Sequence, residues 1–176
     1  MTEKFAMRRS LGALSGFLLL LLGAWGGLIA FIGPYFHYAY TPATAWMYTT
    51  DRLWLEILPG GAVFLGGLLL MLTAARGLAM FGALLAAAGG AWFTLGTLLS
   101  PLWNHNAPLG GTPTGTTVTM RIVEQIGFFS GLGIAIVFIA AVALGRLMTR
   151  PPEAAPQPAA PYSSATAPTA NYPTAG

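Results

Sequence analysis

The chain has 176 residues, of which 55% are apolar and only 7% charged, with a net charge of +3 and no cysteine. A soluble domain carries about 25% charged residues, so thirteen charges are too few to solvate a water-facing surface, and no basic cluster points to nucleic acid. The lack of cysteine excludes disulfides, thiol redox chemistry and Cys-based metal sites.

Residues 1–10 carry Lys4, Arg8 and Arg9 and read as a cytoplasmic N-terminus. The paired arginines of Met7–Gly12 lack the following lysine of a twin-arginine signal and read as anchoring charge. The first apolar span runs from about Leu11 to Ile32, and a connection rich in Pro, Thr and aromatics follows, Pro34–Asp51. The second and third spans, about Leu53–Ala75 and Leu78–Leu99, are joined by a tight turn holding Arg76. A second long connection, Ser100–Met120, leads to the fourth span, about Ile122–Leu147. Each span is long enough to cross roughly 30 Å of hydrocarbon at 1.5 Å per residue. Backbone groups in lipid must bond internally, so the spans are expected to be helices. Residues 151–176 contain seven prolines and one charge, which predicts a disordered tail.

Four crossings place Lys4, Arg8, Arg9, Arg76, Arg146 and Arg150 on one side and Arg52 and Arg121 on the other. The positive-inside rule then makes this a multi-pass protein of the plasma (inner) membrane with both termini cytoplasmic. Tyr35, Phe36, Tyr38, Tyr40, Trp46, Tyr48 and Trp103 suit an outer interfacial aromatic belt.

Two stretches read alike: "GAWGGLIAFIGP" from Gly23 and "GAWFTLGTLLSP" from Gly90. Trp25 to Trp92 is 67 residues, as is Pro34 to Pro101, and Arg52 and Glu56 recur as Arg121 and Glu124 at offsets of 69 and 68. This spacing predicts an all-α membrane protein: a four-helix bundle built from two tandem, parallel helical hairpins, at about 11–75 and 78–147 within a membrane domain at 11–150. Gly26-Gly27, Gly66-Gly67, Gly89-Gly90 and the set Gly127, Gly131, Gly133 are expected helix-contact faces.

"SPLW" at Ser100–Trp103, following "GAW" at Gly90–Trp92, loosely resembles the SPW repeat of bacterial membrane proteins, a two-helix unit. The longer stretch from Gly33 to Leu70, with "EQIGFF" at Glu124–Phe129, resembles a group of uncharacterised actinobacterial integral membrane proteins. The resemblance implies a plasma-membrane location and no particular activity.

Intramembrane charges are the functional candidates by default. Arg52 with Glu56, and Arg121 with Glu124, have i,i+4 and i,i+3 spacing and are expected to pair, the two pairs facing each other near the outer leaflet. Pro59-Gly60-Gly61 should bend or loosen the second helix and free a carbonyl for Glu56, a water or an ion-bound water. His37 and His105 form a titratable pair in the outer loops without metal-ligand spacing, so neither a metal nor another cofactor is expected. No nucleophile–base context marks an enzyme, and no catalytic residue is assigned. The expected function is structural or accessory, with the lipid bilayer, another membrane protein or a homodimer as partner. The alternative is a minimal ion, proton or small-solute transport unit.

Overall fold

A computed structural model of the protein describes residues 3–104 and 109–149, with side chains from residue 12 onward. The predicted tail at 151–176 and His105 lie outside the described residues.

Among the described residues four long helices make up the body: α1, Glu3–Ile32; α2, Thr50–Leu72; α3, Arg76–Leu99; and α4, Val118–Met148. The basic N-terminal segment is thus continuous with α1. All four helices are long and apolar enough to cross a membrane. The spans match the hydropathy reading to within a few residues, because each is bounded by a Pro or Thr stop signal. Pro34 and Pro101 each start a 3₁₀ turn, Gly33–Phe36 and Ser100–Leu102, that closes a span. Thr49 and Thr117 cap the starts of α2 and α4, accepting from the amides of Arg52 and Met120, both at 3.2 Å.

The helices pack antiparallel in chain order, α1 on α2, α2 on α3 and α3 on α4, and a much thinner seam closes α4 onto α1. Small residues set the closeness. A Cβ on Gly67 would stand 2.6 Å from the amide of Leu20, and one on Gly60 2.7 Å from the amide of Gly27. Gly66 meets Gly82 and Ala86, Gly89 meets Val63 and Pro59, and Gly90 meets Gly133 and Ile136. With no hydrophobic drive between helices in lipid, such backbone-to-backbone approach supplies the packing energy. Two of the expected contact glycines act otherwise: Gly131 faces Ile126 of its own helix, and Gly127 faces the Tyr38 hydroxyl. Gly27 takes part through its backbone, its own Cβ direction being open.

Two helices are irregular near the end that carries the long connections. In α2 the stretch Leu53–Ile57 is one wide turn, the Leu58 amide reaching back to the Leu53 carbonyl. In that register the Trp54 carbonyl falls opposite Pro59, which has no N–H. The indole of Trp92 on α3 donates to it instead, at 2.8 Å. The freed carbonyl is therefore satisfied by Trp92, not by Glu56. α4 breaks at Phe129 (φ −128°, ψ −79°), and there the indole of Trp25 on α1 donates to the Gly127 carbonyl at 3.3 Å. Replacing Trp92 by Phe keeps the ring packing but strands the Trp54 carbonyl. We expect a loss of ~1–2 kcal/mol, read as earlier unfolding in micelles, with Trp25→Phe costing less because its bond is longer.

Candidate functional site

The two long connections meet above the bundle. The Thr41 amide donates to the Thr112 carbonyl and the Thr114 amide to the Ala39 carbonyl, both at 3.0 Å. Tyr40 and Pro113 thus face each other in an isolated antiparallel bridge. Ser100, fully buried, accepts from the Leu109 amide at 2.8 Å and donates to the Thr97 carbonyl at 2.8 Å. Beneath the bridge Tyr38 stacks on Phe128 at 5.3 Å, and Tyr40 packs on Phe128 and Phe129 at 4.9 and 5.1 Å.

The four predicted charges gather at this cap, but neither arginine pairs with its neighbouring glutamate. Arg52, 6% exposed, donates to the carbonyls of Pro42 at 2.6 Å, Met47 at 2.7 Å and Thr44 at 3.4 Å. Its guanidinium also lies 5.8 Å from the Phe31 ring centre. Arg121 donates from Nε to the Gly115 carbonyl at 2.8 Å. Glu124, 0% exposed, accepts from the Gly115 amide at 2.9 Å, and from Thr114 and the Ala39 amide at 3.4 Å each. The physical reason is local. Each outer loop folds over its own helix start, so unpaired loop carbonyls and amides compete with the opposite charge one turn away and win. Three of the four charges are thereby fasteners of the loops.

Glu56 differs. It is 4% exposed, and its Oε2 has no hydrogen-bond partner. It lies on the wide turn of α2 and lines a cavity of ≈ 50 Å³ with Tyr40, Thr41, Thr49, Asp51 and Arg52. Tyr40 lies in the field of both carboxylates. Burial first, then the charge of Glu124, with smaller contributions from Tyr38 and Glu56, pushes its hydroxyl up to about 12. Burial and Glu124 likewise raise Tyr38. Both phenols therefore stay protonated and act as donors, Tyr38 to the Val123 carbonyl at 2.8 Å and Tyr40 to Gln125 Oε1 at 3.2 Å.

His37 is exposed in a left-handed turn (φ 56°) and joins no cluster. Among the described residues no three His, Cys, Asp or Glu side chains are grouped to hold a metal. Sequence reasoning missed Ser100, Thr114 and the two tyrosine hydroxyls. Of these only Ser100 carried a signal, sitting directly before a helix-ending proline. No protein-family model matches the chain, and neither a curated protein nor a solved structure matches it significantly.

Proposed function

We propose that the protein is a small structural or accessory protein of the plasma (inner) membrane that binds lipid or a partner subunit through its loop end. One observation carries this reading. Arg52, Arg121 and Glu124 all hold the loops in place, and the cap they hold displays Tyr35, Phe36, Trp46, Tyr48 and Leu102, each more than 60% exposed. Aromatic side chains presented on a fixed frame suit a membrane interface or a partner's surface. Photo-crosslinking groups at Phe36 and Leu102 in native membranes are expected to capture lipid or one discrete protein, whereas the same group at buried Phe93 captures neither. Equal, diffuse labelling at all three positions would remove the basis of the proposal.

The lysine and arginine distribution supports both termini facing the cytoplasm. Arg76 fits that side, donating to the Met148 carbonyl at 3.1 Å and so neutralising the C-terminal end of α4. Because the chain has no native cysteine, Arg76→Cys gives a clean probe. Impermeant maleimide is expected to label it only after the membrane is opened, and labelling in intact cells would invert the topology.

Tandem duplication also belongs to this reading. It is supported by the two indoles, each donating to a carbonyl of the other hairpin, and by caps at Thr49 and Thr117, 68 residues apart. The broad α2–α3 contact and the thin α1–α4 seam have diverged since. The transport alternative, built on Arg52, Glu56, Arg121 and Glu124 and needing a homodimer to line a path, is favoured by Glu56 alone.

A further inference from the structure

A carboxylate oxygen buried without a donor is among the costlier groups a fold can hold, and such oxygens are normally met by a hydrogen bond, a water or a cation. The nearest positive group does not meet Glu56 Oε2, since the Arg52 guanidinium donates to the Pro42, Thr44 and Met47 carbonyls. The cavity that Glu56 lines is ≈ 50 Å³. That is room for an ion with a water or two and too little for an organic solute. Its polar side chains are Tyr40, Thr41, Thr49, Asp51, Arg52 and Glu56, so every side-chain ligand it offers is an oxygen. Oxygen-only sites select hard cations. Two carboxyl groups against one guanidinium leave at most one excess negative charge, which suits a monovalent ion better than a divalent one. Calcium takes six to eight oxygens, typically with several carboxylates, and magnesium demands near-ideal octahedral geometry. With two carboxyl groups and a guanidinium in its lining, the cavity is poorly matched to either divalent ion. The widened turn at Leu53–Ile57 is itself a local departure of the kind that recurs at functional sites.

We propose that this cavity, under the paired loops and floored by Glu56, binds one alkali-metal cation, with the Glu56 carboxylate as the anionic ligand and Asp51 adding to the field. The ion ties α2 to the 40–42 segment and so stiffens the cap. The site stands independently of what the aromatic surface binds.

The test is thermal unfolding of the full chain in nanodiscs, in sodium, potassium or N-methyl-D-glucamine chloride at equal ionic strength. Sodium or potassium is expected to raise the midpoint saturably, by ~3–5 °C over the bulky organic cation. Glu56→Gln, which keeps the shape and removes the charge, should abolish the difference. Asp51→Asn should raise the half-saturating concentration ~3-fold or more through weaker Coulomb attraction. Sodium-23 line broadening with the wild-type protein, reversed by excess potassium, asks the same question without any variant. Identical midpoints in all three salts, a full cation effect in Glu56→Gln, or no broadening would each overturn the proposal.

Discussion

Replacing Glu124 with alanine is expected to release both loops from the bundle at a cost of ~3 kcal/mol. The carboxylate is fully buried and holds three donors: the Gly115 amide at 2.9 Å, and the Ala39 amide and the Thr114 hydroxyl at 3.4 Å. The short contact to Gly115 dominates, since a hydrogen bond to a charged acceptor is roughly twice a neutral one. Removing it strands a buried amide and leaves a void beside Phe128. Glu124→Gln should cost less, because its carbonyl oxygen can still accept from Gly115 while its NH₂ faces the other two donors. The measurement is equilibrium unfolding in micelles, with proteolysis of the 109–117 segment as a local readout. A change below ~0.5 kcal/mol, the scatter of neutral surface substitutions, would mean that the buried carboxylate does not hold the loops.

The second large effect is expected at the α1–α2 crossing. Gly67→Leu places a side chain where a Cβ already meets the Leu20 amide at 2.6 Å and the Gly16 carbonyl at 2.7 Å. Both obstacles are backbone, which no rotamer change can move aside, so the helices must separate along their length. Overpacking a tight core typically costs 1–3 kcal/mol and occasionally more. With backbone on both sides we expect ~4 kcal/mol, or failure to recover folded protein. Gly27→Ala is the matched control. Its Cβ would find nothing within 4 Å, so a change within ~0.5 kcal/mol is expected. Equal losses at the two positions would show that glycine matters there for some reason other than close approach.

The spans were legible because lipid imposes a length and an apolarity that any helix must meet, and Pro34, Pro101, Thr49 and Thr117 punctuate them. The glycine faces were legible at Gly26, Gly66, Gly67, Gly89, Gly90 and Gly133, small residues set in otherwise apolar spans. The partners of the charges were not. Glu124 takes an amide from Ala39, 85 residues earlier, and Arg52 takes carbonyls from a loop whose path no periodicity describes. Spacing of i,i+3 and i,i+4 shows that two side chains share a helix face, not that they prefer each other over an unpaired backbone group. The wide turn before Pro59 escaped for a related reason. Proline announces a missing amide, but the register that the helix adopts around it depends on an indole arriving from α3.

The thin joint between α1 and α4 has a consequence for biogenesis. Its bond from Trp25 to Gly127, and the neighbouring loop bonds from Tyr38 to Val123 and from Ala39 to Glu124, all reach into α4, made after the other three helices. The first three helices can settle against one another during insertion, but the ring and its lid close only once α4 has been made. A chain interrupted before residue 118 would therefore expose an unclosed flank to quality-control proteases.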